Sequence, residues 1–408
     1  MLYWTAEFDS FEMKKLQAIL TNQRSQIIGI TVGSALLLGL LWFRLGSLTY
    51  GNAADIEVMT RAASSGWMAI LQHPLNLPYS VIQRLVAYTG HHGITSLRLI
   101  STVFAILAAA LFYIVARQWH STRVALLGTW LFMSSAWFLH VGRLGSPEIL
   151  WLVSTLAVVV LLTPNRDGRH NRLALPSTLL ALSMVLYVPG MVWIVLAGLL
   201  VRRKNIADAW EATNTRWLRF ASIAFTVLVL APLIYSFVKQ PELIKTWLGF
   251  DGAIPSLKNI GHNLLDVPLS LILRSSFDPV HWLGRVPILG VFEIVMFLVG
   301  TYFYASHLRA ARTRLIVVLA IIGWALVGIM GSSAISLVLP IVYLLIASGV
   351  AYILHLWLKV FPHNPVARTV GIAVIMLAVL LTSVYQTRSY FVAWRYNSET
   401  SQVFQVKL

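Results

Sequence analysis

The stretch "ALSMVLYVPGMVWIVLAGLL", Ala181–Leu200, is the centre of an uncharged apolar run from Leu173 to Val201. A helix crossing a bilayer needs roughly 20 apolar residues, so this run is too long for one comfortable span. In its middle stand Tyr187, Val188, Pro189 and Gly190. Proline removes a backbone donor and glycine loosens the chain, so the helix is expected to break there. The run therefore reads as two short helices meeting at a turn near the outer surface of a membrane.

Working outward, uncharged apolar runs recur at Ile27–Phe43, Leu99–Ala116, Val124–Leu139, Ile149–Leu162, Phe220–Val238, Leu315–Met330, Ile335–Leu358 and Thr369–Tyr385. Val286–Ala305 is another, interrupted only by Glu293. With the split run these give about 11 spans. Of the 408 residues 58% are hydrophobic and 11% charged, more apolar surface than a soluble domain can hide. The fold class is an all-α polytopic membrane protein. The first apolar run is too far in and too long for a cleavable signal peptide. Tyr3, Trp4, Phe8 and Phe11 before it suggest an interfacial helix. There is no cysteine, which excludes disulfides, thiol catalysis and thiolate metal sites.

The formal charge of +16 suits positive-inside bias and anionic lipid better than nucleic acid, since no basic-aromatic soluble module is present. With the N-terminus inside, the inner segments are 1–26, 117–123, 163–172, 202–219, 306–314 and 359–368. They hold 18 of the 31 basic residues, mostly in short loops. This divides the chain into a cytoplasmic segment 1–26, a transmembrane domain 27–386 and a short outer tail 387–408. Two large outer loops, 46–97 and 239–285, are where chemistry is expected.

After the first span comes "YGNAADIEVMTRAASSG", Tyr50–Gly66. Asp55 lies near the start of a segment of helical composition, an amphipathic juxtamembrane helix where the helix dipole would keep a carboxylate ionised. That suits either an N-cap or a base. Glu57 and Arg61, four apart, can pair. Farther on, "FLHVGRLGSPEILWL", Phe138–Leu152, offers Ser146 as an N-cap, Pro147 at the first helical position and Glu148 in the first turn. Arg143 precedes that acid by five residues.

The order of these features resembles a family. An acidic pair after span one, a His-Pro-rich segment at "HPLNLPYSVIQRL", "SLRLIS" opening span two, and "GR" plus an acid at span four are similar to the GT-C glycosyltransferases. The relevant types are the protein O-mannosyltransferases of glycosyltransferase family 39 (dolichyl-phosphate-mannose-protein mannosyltransferases) and the aminoarabinose transferases. The split 181–200 run, "FDPVHWLGRVPILGVFEIVMFLVG" and "LVLPIVYLLIASGVAYIL" resemble that family's paired short helices, the span after its second outer loop, and its late Leu-Pro span. Two departures stand out. The usual adjacent Asp-Glu is split here as "DIE", and Glu148 stands where Asp is more usual. The family's soluble C-terminal domain is also expected to be missing.

The resemblance implies a GT-C-like bundle and an inverting transfer of a hexose or pentose from a polyprenyl-phosphate donor to a lipid, glycan or protein acceptor, at the outer face of the plasma membrane. Asp55 would be the general base, with Glu57 its companion and Glu148 the second acid. Cations must receive the departing phosphate. Arg143 is the first choice, because guanidinium binds phosphate bidentately, although it could equally be a snorkelling headgroup contact. Arg61, Arg84, Arg274 and Arg285 are weaker candidates. His73, His140, His262 and Glu293 would line the substrate site. Glu293, an intramembrane acid, needs either a donor groove or a partner such as Arg274. Histidines 73, 91, 92 and 140 could bind a divalent metal ion with Asp55 or Glu148, yet no spacing is a zinc motif, so no cofactor is assigned. The other partners expected are membrane lipids, with the chain a monomer. A transporter, or a non-catalytic scaffold that keeps the GT-C fold, are the competing readings.

Overall fold

The computed structural model describes residues 23–52, 66–90, 93–163, 174–213, 215–250, 255–274, 280–281, 283 and 286–405. Among these there is no extended strand; the chain is built of helices. In order they are α1 (Gln23–Trp42), α2 (Trp67–Gln72), α3 (Leu77–Tyr88), α4 (Ile94–Trp119), α5 (Thr122–Ser134), α6 (Ala136–Arg143), α7 (Ile149–Leu162), α8 (Ala174–Val185) and α9 (Met191–Val201). There follow α10 (Arg203–Ala212), α11 (Arg216–Lys239), α12 (Glu242–Trp247), α13 (Leu257–Ile272), α14 (Val291–Ala305), α15 (Ala311–Met330), α16 (Ile335–Val360), α17 (Pro365–Arg388) and α18 (Ser398–Val403).

Every apolar run contains helix, with non-helical residues at 186–190 and 286–290. Among the described residues five helices are long and apolar enough to cross a membrane, and α5 with α6, bent by 61° at their junction, make a sixth if read as one broken span. Five more apolar helices are shorter, at 10–17 residues. The segment 53–65, expected to carry the juxtamembrane helix, lies outside the described residues, as do 1–22 with the proposed interfacial helix. Within the first outer loop, α3 is amphipathic. It buries Tyr79 and Gln83 and exposes Leu85 and Tyr88.

The break at Tyr187–Gly190 is present and fully bonded. Gly190 has φ +76°, a left-handed conformation open to glycine at no cost. Its N–H donates to Trp247 O at 2.8 Å, and Trp247 Nε1 returns a bond to Leu186 O at 2.6 Å. Asn76 N bonds Tyr187 O at 2.8 Å, and Trp151 Nε1 bonds Pro189 O at 3.1 Å. Backbone groups freed at membrane depth must find partners in protein. Here residues of both large loops supply them, so both loops sit at one end of the bundle.

The run Val124–Leu139, expected as one span, is instead broken at Ser135. That residue is extended, donates its hydroxyl to Phe132 O at 2.7 Å and accepts at the same oxygen from Phe138 N at 3.3 Å. Ala136 N bonds Gln386 Oε1 at 3.2 Å. A Ser-Ser pair (Ser134, Ser135) with hydroxyls that replace backbone bonds breaks a helix that hydropathy alone treats as continuous.

The core is built around α16, which has 72% of its most apolar window buried, against 17% for α11 and 22% for α17 with the following turn. The outer faces of α11 and α17 present Leu228, Val238, Val374 and Leu381 outward, as lipid-facing helices do. α14 crosses α16 backbone to backbone: a Cβ on Gly300 would lie 1.9 Å from Leu345 O, and one on Gly349 2.0 Å from Met296 O. Such small-residue crossings let membrane helices approach closely.

Candidate functional site

At the loop end of the bundle, two buried arginines hold the chain that leaves α1. Arg98, early in α4, donates from Nη1 to Leu45 O and Thr49 O, both at 3.0 Å. Its Nη2 donates to Thr49 Oγ1 at 3.2 Å and Tyr50 O at 2.9 Å. Arg143, the last residue of α6, donates to Leu40 O and, at 2.7 Å, to Phe43 O. Those carbonyls stand where α1 ends, at Arg44 with φ +54°, and lack helical partners. Each arginine is 3% exposed. No carboxylate among the described residues lies within 4 Å of Arg143.

Both arginines line a narrow cleft, too tight in this conformation to hold a water molecule, together with His140, Tyr390, Trp394 and the chain at 45–49. Tyr390 and Trp394 lie on a π-helical turn, Ser389–Trp394, that follows α17. Such turns often occur at functional positions. Their rings stack at 5.3 Å and 11°. His140 meets Trp394 edge-on at 4.7 Å, and the Arg143 guanidinium lies 4.9 Å from the Phe391 ring centre. Two buried donors on cleft residues, Arg143 Nε and Trp394 Nε1, have no hydrogen-bond partner among the described residues. The stretch expected to be a short outer tail is thus partly core: Tyr390, Trp394, Thr400 and Phe404 are buried.

Beside the cleft, Glu148 Oε2 and His281 Nε2 are 2.9 Å apart, with the histidine side chain only 7% exposed. His281 also stacks on Trp137 at 5.9 Å and meets His140 edge-on at 5.8 Å. The expected cap at Ser146 is corrected. α7 opens at Ile149 with Glu148 in the N-cap place, and the buried Ser146 hydroxyl has no hydrogen-bond partner among the described residues. Pro147 and Glu148 are already in a helical turn, and the Glu148 carboxylate turns to His281 rather than to the backbone.

Glu293 lines no groove. It is 0% exposed and accepts from Gly290 N at 2.7 Å, Tyr343 Oη at 2.8 Å and Gln386 Nε2 at 2.5 Å. Its partners are neutral donors on three elements, and Arg274 is not among them. Arg274 instead reaches Asp266 at 3.6 Å, and Asp266 also pairs with the exposed His262 at 3.0 Å. Arg84 lies over Tyr88 of its own helix at 4.8 Å, and His73 is exposed at the end of α2. None of His73, Arg84, His262 and Arg274 lines the cleft. Asp55, Glu57, Arg61, Arg285, His91 and His92 lie outside the described residues. Among the described residues no three of His, Asp and Glu gather as a metal site.

Sequence reasoning missed Arg98, His281 and the Tyr390–Trp394 turn. Arg98 sits inside "SLRLIS", where a charge just within a span is costly enough to need backbone partners. His281 sits in "FDPVHWLGR", and its place beside an acid 133 positions away is not written in either segment.

No protein-family model matches the chain, and no curated protein matches it. Solved structures share its architecture, among them two of one protein. The crystal structure of ArnT from Cupriavidus metallidurans in the apo state covers 92% of this chain and 76% of its own, at a TM-score of 0.52 and 13% identity. The same protein bound to undecaprenyl phosphate gives a TM-score of 0.53 with the same identity and coverage. The fold is ArnT-like. The chain therefore shares the helix arrangement of this membrane protein over 92% of its length, in keeping with its own long apolar helices. At 13% identity the shared property is the arrangement of helices.

Proposed function

We propose that this chain is a membrane glycosyltransferase that takes a sugar from a polyprenyl-phosphate carrier and passes it to an acceptor hydroxyl at the outer face of the membrane. One observation carries the reading: the ArnT-like fold over 92% of the chain, shared with a structure that holds undecaprenyl phosphate. The cleft adds chemical support. Arg143 supplies a buried cation, and the Nε of Arg143 and Nε1 of Trp394 are buried donors without protein acceptors among the described residues. Buried donors usually find acceptors, and phosphate oxygens are suitable ones.

In this mechanism Asp55 takes the proton of the acceptor hydroxyl. The acceptor oxygen attacks the anomeric carbon, the bond from that carbon to the phosphate oxygen breaks, and polyprenyl phosphate leaves with the electron pair. The sugar, a hexose or pentose, inverts. Glu57 assists Asp55; Glu148, held by His281, shapes the acceptor side. Arg98 and Arg143 fix residues 40–50, which lead directly to Asp55. The N-terminus is placed in the cytoplasm and the cleft outside.

A second reading, a non-catalytic scaffold, is favoured by the narrowness of the cleft and by the two backbone carbonyls already held by Arg143. Mass spectrometry of glycolipids and glycoproteins from cells with and without the gene separates the two. A transferase yields a sugar-modified product that falls by roughly 10²–10⁴-fold with Asp55→Asn, at unchanged protein level. An unchanged product in that variant removes Asp55 from the chemistry. No gene-dependent product at all favours the scaffold.

A further inference from the structure

A second cavity lies at the opposite end of the bundle. Gly190 and Met330, at the loop-end termini of α9 and α15, approach each other: a Cβ on Gly190 would be 3.3 Å from the Met330 sulfur. The other ends of the same helices, with the start of α10, surround an open cavity of about 740 Å³. That is the size of a small-molecule site. Its rim carries Arg202, Arg203, Lys204 and Arg314 against one acid, Asp208, and its walls are leucines and valines of α9 and α15.

Four cations around one cavity repel one another unless an anion sits between them. Arg202 is half-buried, its Nε has no hydrogen-bond partner among the described residues, and burial and then the Arg314 charge lower its pKa from the usual value. The cluster stands where apolar helices end, the depth at which lipid headgroups lie and basic pockets recognise them. The walls suit acyl chain, which a free phosphate ion lacks. We propose that this cavity binds the phosphate of an anionic phospholipid, with Arg202 and Arg314 on the headgroup and the α9 and α15 walls along the first part of an acyl chain. This site is separate from the cleft and independent of the transfer reaction.

Native mass spectrometry of the full chain, released from micelles containing phosphatidylglycerol or phosphatidylcholine, tests it. Wild type is expected to retain phosphatidylglycerol in preference. Arg202→Gln with Arg314→Gln is expected to lower that retention about 30-fold, roughly fivefold for each cation removed. Asp208→Asn is expected to raise it, an effect that damage to the fold cannot imitate. Equal retention of the two lipids, an unaltered double variant, or no gain in Asp208→Asn overturns the proposal. Displacement by millimolar inorganic phosphate as complete as by excess phosphatidylglycerol also overturns it, since the site would then take any phosphate.

Discussion

Arg98 and Glu293 show two different solutions to an ionisable side chain buried in the bundle. Arg98 spends its amines on four acceptors of one segment, a geometry that a planar fork provides and a point charge does not. Arg98→Lys is therefore expected to cost about 2 kcal/mol in thermal unfolding and to speed hydrogen exchange at residues 45–50. Unchanged exchange there would mean that the segment holds itself. Glu293 joins Gly290, Tyr343 and Gln386, and Gln386 passes a further bond to Ile288 O at 2.9 Å. Glu293→Ala strands several buried donors at once. It is expected to lose about 3 kcal/mol or more, read as a fall in detergent melting temperature. A loss of product with full stability would instead return Glu293 to the chemistry.

Among the elements, the closest contact is the crossing of α14 and α16. A side chain at Gly349 meets the Met296 carbonyl, which is backbone and cannot swing aside. Gly349→Val is expected to destabilise by about 3 kcal/mol or more, seen as aggregation on size-exclusion chromatography, whereas Gly39→Val, which meets nothing within 4 Å, is expected to behave as wild type. The elements also show what could be read in advance. Hydropathy located the apolar helices, though not α13, which packs on α15 from within an expected loop, and Pro189-Gly190 located a break, because length and a missing donor are local properties. The break at Ser135 escaped because it depends on hydroxyls and on Gln386, far along the chain. The site was legible only in part for the same reason. Arg143 and Glu148 lie in a visible motif, but their partners, Leu40, Phe43 and His281, are set by how distant elements pack.

On the scale of the molecule, charge is divided between the two ends. Arg98 and Arg143 are sunk among backbone carbonyls at the loop end, while Arg202, Arg203, Lys204 and Arg314 crowd an open cavity at the other. The positive-inside rule puts the second end in the cytoplasm. Single cysteines can be placed without background, since the chain has none. At exposed positions, Ser401→Cys is expected to react with an impermeant maleimide in intact cells, and Ser306→Cys only after permeabilisation. The reverse pattern would turn the bundle over and move the cleft inside.

The cleft draws its walls from residues 45–49 and from the turn at 390–394. At ribosomal rates the second wall emerges about half a minute after the first. Arg98 and Arg143 can thus anchor residues 40–50 in the nascent chain well before Tyr390 and Trp394 arrive. The early wall can form on its own contacts, and the later turn must dock against a surface already built.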